Sequence, residues 1–243
     1  MSSTLVRLQN VYFGYTGGRN VLQNLSLEIQ NGAKIAVIGD NGEGKTTLLH
    51  IIMGLHRPQS GCVQLFGHEM RSEPDFAQQR TKLGFVFQDA DDQLFCPTVL
   101  EDVCFGPLNQ GLSLAQARTK AQATLDLLGL DGYQERLTHT LSGGEKKLIS
   151  LATVLSMSPE MLILDEPTTG LDAQYRRKFI AVLETINLPH LIVSHDFDFL
   201  DRTSHAFYRL RSGHLEPGSR AIVHTHHHAH PLGDTQHSHG PST

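Results

Sequence analysis

At 243 residues, the chain exceeds a single domain of about 150 residues and falls short of two, and its 39% hydrophobic and 19% charged residues exclude a disordered or fibrous protein. Twenty Lys+Arg against 25 Asp+Glu leave a formal charge of -5, which argues against a protein that neutralises nucleic-acid phosphates, so no nucleic-acid partner is expected. Three scattered cysteines without a CxxC, and no basic-then-apolar leader, point to the cytosol; with no run near the roughly 18 to 20 apolar residues that span a bilayer, any membrane role is expected to be peripheral.

Leu5 to Val11, and more cleanly Val21 to Ile29, alternate apolar and polar residues as half-buried strands near an edge do. Four short continuous apolar runs follow: Ile35 to Ile38, Leu83 to Phe87, Met161 to Leu164 and Leu191 to Val193. Each ends in a polar or Gly-rich motif, the pattern of buried parallel strands delivering loops to a site. Helices are expected at Lys45 to Met53, Ser113 to Leu128, Gly143 to Met157 and Ala173 to Ile186. Ser113 and Gln116 form a capping box, and Leu148, Leu151, Ala152 and Leu155 make one apolar helix face. Asp89 to Met157 reads as mostly helical, a second lobe inserted between two core strands. Arg211-Ser212-Gly213-His214 reads as a hairpin turn, and periodicity stops beyond Pro217.

The run Ile35 to Ile38 leads into Gly39-Asp40-Asn41-Gly42-Glu43-Gly44-Lys45-Thr46, which matches G-x-x-x-x-G-K-[ST] in a strand-then-helix setting. Its glycines let successive backbone N-H groups point at a phosphate, and the helix starting near Lys45 turns its positive end toward the same anion. Lys45 supplies a point charge, Thr46 a hydroxyl for Mg²⁺ and Thr47 a further phosphate contact. Asp40 and Glu43 place carboxylates in a loop made for anions, and their side chains are expected to point outward.

Met161 to Leu164 ends in Asp165 and Glu166. Successive strand side chains face opposite ways, which divides the work: Asp165 to the Mg²⁺ shell, Glu166 to the attacking water as general base. His195 ends another strand, placed to hold or sense the γ-phosphate, and Gln88 ends a fourth, suited to Mg²⁺ or the water. Leu141-Ser142-Gly143-Gly144-Glu145 precedes a helix and makes a second anion-binding turn.

In this order, from about Leu5 to Gly213, the chain resembles the ATP-binding subunit of an ABC transporter. The resemblance implies an α/β fold with a P-loop NTPase core: a mixed, largely parallel sheet flanked by helices, an N-terminal antiparallel β portion and an inserted helical subdomain. The expected organisation is residues 1–88 and 159–216 as core, 89–158 as the helical subdomain carrying the signature, and 217–243 as a flexible tail. The resemblance further implies ATP and Mg²⁺ as cofactors, Tyr15 stacked on adenine, and a head-to-tail homodimer. There Ser142, Gly143, Gly144 and Glu145 of one copy cap the nucleotide held by the other, with Asp172 linking the two sites.

Gln88 to Phe95, and Leu141 to Lys147 with Glu145 where most relatives have Gln, are similar to energy-coupling-factor importers of vitamins, cobalt or nickel. Leu148 departs from a usually basic position, and the extra C-terminal domain of many relatives is not expected here. Partners implied are transmembrane coupling and substrate-capture subunits, at the cytoplasmic face of the cell membrane. Seven histidines, His224, His226, His227, His228, His230, His237 and His239, suit transition ions and favour cobalt or nickel over a vitamin. The alternatives are a vitamin-importing ATPase of the same type, or a soluble ABC ATPase outside transport.

Overall fold

The computed structural model describes residues 3–18 and 20–218. In chain order it holds β1 (Thr4–Gly14), β2 (Asn20–Gln30), β3 (Lys34–Ile38), α1 (Lys45–Ile52), β4 (Ser60–Leu65), β5 (His68–Glu69), α2 (Glu73–Arg80) and β6 (Leu83–Val86). Then come α3 (Val99–Asn109), α4 (Leu114–Leu127), α5 (Gly143–Leu155), β7 (Met161–Asp165), α6 (Ala173–Ile186), β8 (His190–Val193), α7 (Phe197–Thr203), β9 (Ala206–Arg211) and β10 (His214–Gly218). The strands form two sheets. One is antiparallel, in the order β2-β1-β4-β5. The other has the order β10-β9-β3-β8-β7-β6, parallel except for the β9-β10 hairpin. This is the P-loop NTPase cassette architecture.

The parallel strands are apolar throughout because both faces are covered, and their period of two divides the core. Ala36, Leu162, Leu164 and Ile192 face one side, where they meet the helices α3 to α7. Ile35, Val37, Met161, Ile163, Leu191 and Val193 face the other, where α1 is clamped between the two sheets by Leu48, Leu49, Ile51 and Ile52. These four α1 side chains are fully buried, each worth about 1.5–3 kcal/mol relative to exposure. The helix that begins at Lys45 is thereby fixed along its length. Such fixity is what a preformed anion site requires.

Of the two strands expected near an edge, β2 ends its sheet and β1 lies one strand in, between β2 and β4. Its alternation arises because only one face of this sheet packs on the core. The strands β4 and β5 and the helices α2, α3 and α7 carry little of the periodicity used to find the rest. α2 buries only Phe76 and Gln79, although the capping box of Ser72 and Asp75 marks its start. The histidines from His224 to His239 lie outside the described residues. No helix among the described residues is long and apolar enough to cross a membrane.

Candidate functional site

β3, β8, β7 and β6 run parallel, so their C-terminal ends deliver four loops to one edge of the sheet. Asn41, Gly42, Gly44, Lys45, Thr46 and Thr47 from the first loop line a cleft of about 510 Å³ with Tyr15, Val21, Gln88, Asp165, Glu166, Thr169 and His195. Gly42 and Gly44 take φ of 82° and 99°, outside the range comfortable for an L side chain. A Cβ on Gly44 would lie 2.5 Å from Val21 Cγ1. Gly44→Ala is therefore expected to cost about 2–3 kcal/mol from strain and overpacking together; urea denaturation reads it, and an unchanged midpoint refutes it.

Lys45 is buried, and its Nζ donates to the carbonyls of Gly39 at 2.8 Å and Asp40 at 3.1 Å. The ammonium thus closes the loop on itself. Asp40 is exposed, and Glu43 turns away to accept the backbone N-H of Ser212 on the β9-β10 turn. Neither carboxylate lines the cleft. Tyr15 presents a half-exposed ring at the cleft mouth, its hydroxyl 3.1 Å from that of Thr47. The ring packs edge-on against Phe13 and His56.

The Thr46 hydroxyl donates to Asp165 Oδ2 at 2.9 Å, while the buried Asp165 Oδ1 has no hydrogen-bond partner. Burial pushes the Asp165 carboxyl above its ordinary pKa, and the neighbouring Glu166 adds to the shift. A half-satisfied carboxylate beside a hydroxyl is the donor set of a hard divalent cation completed by phosphate and water. Among the described residues no group of three or more His, Cys, Asp or Glu could hold a metal by itself.

Glu166 departs from the strand geometry expected of it. Its φ is 43°, in the left-handed region, so its direction comes from a backbone turn rather than from strand alternation. The carboxylate is buried and held by His195, whose Nδ1 lies 2.9 Å from Oε2. The rest of the exposed imidazole is left toward the cleft. Arg176 of α6 pairs with Asp196, steadying the loop that carries His195. Gln88 is exposed and lines the cleft, as does the Asp165 edge of a neighbouring cavity of about 660 Å³.

Ser142 caps α5, accepting the N-H of Glu145, while Glu145 accepts the N-H of Ser142 at 2.8 Å. Ser142 and Gly143 are exposed, and a Cβ on Gly143 would meet nothing within 4 Å. Gly144 is buried, because a Cβ there would strike the Tyr175 ring at 2.4 Å. Glu145 is a correction. Its carboxylate turns inward to Tyr133 and Arg136, each at 2.7 Å, and is buried in its own chain. Burial alone would raise its pKa, but hydrogen bonds from Tyr133, Ser142 and Arg136 prevail and hold it at about 2. Its folded pKa lies below the ordinary 4.5, so this contribution is complete above about 4.5 and disappears as pH falls toward about 2. Thermal melts should show the native chain losing stability across that window, with Glu145→Gln less stable at neutral pH and flatter in acid; parallel curves would refute this. Asp172 caps α6 through the N-H groups of Gln174 and Tyr175, its residue otherwise exposed.

Residues 22–169 match the family described as ABC transporter. The chain is 50% identical over 236 residues, covering 97% of itself and 86% of its relative, to an ABC transporter ATP-binding protein, so named provisionally, of Nitratidesulfovibrio vulgaris. It is 38% identical over 215 residues, 87% of the chain and 69% of the relative, to the energy-coupling factor transporter ATP-binding protein EcfA of Methanothermobacter thermautotrophicus. Its fold superposes with a TM-score of 0.82 and 30% identity, over 91% of the chain and 90% of the other, on cbiO1 from Clostridium perfringens, part of the ABC transporter complex cbiONQ. With the strand-end cleft, the fold and the relatives in agreement, the chain belongs to the ABC transporter family as an ATP-binding subunit that hydrolyses ATP.

Proposed function

We propose that this chain drives import of a transition-metal ion, cobalt or nickel, as the ATPase of an energy-coupling-factor type transporter. The observation that carries the motor half of this reading is the pairing of Asp165 and Glu166 at one strand end, opposite Lys45 and Thr46. Lys45 leaves the Gly39 and Asp40 carbonyls to meet phosphate, while the N-H groups of the loop and of the first turn of α1 receive the remaining oxygens. Thr46 and Asp165 would hold Mg²⁺, which when bound would neutralise charge on the phosphates. Glu166 takes the proton of the attacking water, oriented by His195, and Gln88 contacts the metal or that water.

Two copies pack head to tail. The exposed start of α5 supports this, since the N-H groups of Gly143 and Gly144, unlike those of Ser142 and Glu145 that close the capping box, have no acceptor within their own helix and can cap the partner's γ-phosphate. Asp172 lies at the same junction. Transmembrane coupling and substrate-capture subunits complete the assembly, with this chain peripheral on the cytoplasmic face. The core, 1–88 with 159–216, and the helical lobe, 89–158, act as its two moving parts.

The likeness to EcfA and cbiO1 supports the type of transporter, and the seven histidines between His224 and His239 support a transition-metal substrate. The test is uptake of radiolabelled Co²⁺ and Ni²⁺ by cells expressing the chain with the membrane subunits that copurify with it. Accumulation dependent on Glu166 is expected, with residues 224–243 deletable at unchanged ATPase rate. Uptake of a vitamin and of neither ion would overturn the metal reading.

A further inference from the structure

Lys147 is a buried cation that the nucleotide site does not by itself explain. It lies in the second turn of α5 and lines the larger cavity with Thr46, Gln88 and Asp165. Its Nζ donates to the carbonyls of Phe87, at 3.2 Å, and Gln88. Burial lowers its pKa, while the charges of Asp89, Asp165 and Glu166 counter that shift. An apolar side chain would fill the same space without desolvating an ammonium, so the charge is best explained by what it holds.

What it holds is a loop already fastened to α5 elsewhere. Gln93 accepts the N-H of Phe87 and donates to Ser150 and Thr153, and Lys146 pairs with Asp91. Those contacts leave the peptide at Gln88 itself to Lys147. The exposed Gln88 side chain has only its backbone to aim it into the cleft.

We propose that Lys147 is a positioning residue for ATP hydrolysis, fixing the Gln88 backbone so that its side chain meets the nucleotide. Because the first turn of α5 carries Ser142, the same bond makes the surface offered to the partner's nucleotide and the loop serving the chain's own move as one unit. The inference rests on the reading of Gln88 given above, and its test separates the two.

The test measures steady-state hydrolysis and the affinity for a fluorescent ATP analogue in the full chain, Lys147→Met, Gln88→Ala and the double variant. Lys147→Met should lower kcat about 10-fold with affinity within about two-fold, and should cost less than about two-fold more in the Gln88→Ala background. An equal loss in both backgrounds, a loss confined to affinity, or full turnover of Lys147→Met beside a defective Gln88→Ala overturns the role of Lys147. Full turnover of Gln88→Ala overturns the reading of Gln88, and with it the route by which Lys147 acts. If Lys147→Met does not fold, Lys147→Arg decides in its place: turnover within about three-fold of native upholds the proposal, and turnover no better than Gln88→Ala overturns it.

Discussion

Glu166→Gln should cut steady-state ATP hydrolysis by about 10²- to 10⁴-fold, the contribution of a positioned general base, while ATP still binds and accumulates in a two-chain complex. The substitution suits the site because it changes chemistry and little else. Glutamine has the size of glutamate, and its amide oxygen can still accept from His195 Nδ1, 2.9 Å away in the native chain. The left-handed φ of 43° is tolerated equally by both residues. What disappears is the basic oxygen that receives a proton from water. Binding stays intact because Lys45, Thr46 and the N-H groups of the loop that line the cleft are untouched by the substitution. Light scattering coupled to gel filtration should show an ATP-dependent doubling of mass in the variant, absent with ADP. A variant hydrolysing at the native rate would remove Glu166 from the mechanism, and a slow variant that never dimerises would remove the head-to-tail sandwich.

The residues that could be placed from sequence share one property: their position follows from a strand ending. Ile35 to Ile38, Met161 to Leu164 and Leu191 to Val193 are buried on both faces, so they stand out as continuous apolar runs; Gly39 and Asp165 follow directly, and His195 follows after Ser194. Features set by tertiary contacts were out of reach. Asp165 and Glu166 do take different partners, Thr46 and His195, but alternation is not the reason, because the backbone turns at Glu166. Glu145 sits in a glycine-rich turn that invites an outward reading, and only the fold brings Tyr133 and Arg136 against it. Lys147 reads as one of two adjacent surface lysines until α5 is docked on the loop after β6, whereupon Lys146 stays partly exposed and Lys147 is buried. α2, with Phe76 as its one buried apolar anchor, shows how little periodicity a short helix needs when a neighbouring sheet supplies the packing surface.

Lys45→Ala should fail one step earlier, raising the Kd for ATP about 100-fold and removing hydrolysis at ordinary nucleotide concentrations. A charge-assisted hydrogen bond contributes about 1.5–3 kcal/mol, or roughly 10- to 150-fold in affinity; the upper part of that range applies because Lys45 is buried and poorly screened by solvent. The native chain also uses this ammonium before ATP arrives, bridging the Gly39 and Asp40 carbonyls. Alanine leaves that loop without its clasp, so part of the lost affinity is the cost of re-forming the loop on binding. Arginine is no substitute: its planar fork does not fit a space that admits one compact ammonium near two converging carbonyls. Calorimetric titration separates this variant from Glu166→Gln, since one loses the binding isotherm and the other keeps it with turnover gone. Undiminished affinity in Lys45→Ala would mean that the N-H groups of residues 39–46 hold the triphosphate unaided, and the account of Lys45 as the point charge of the cradle would fall.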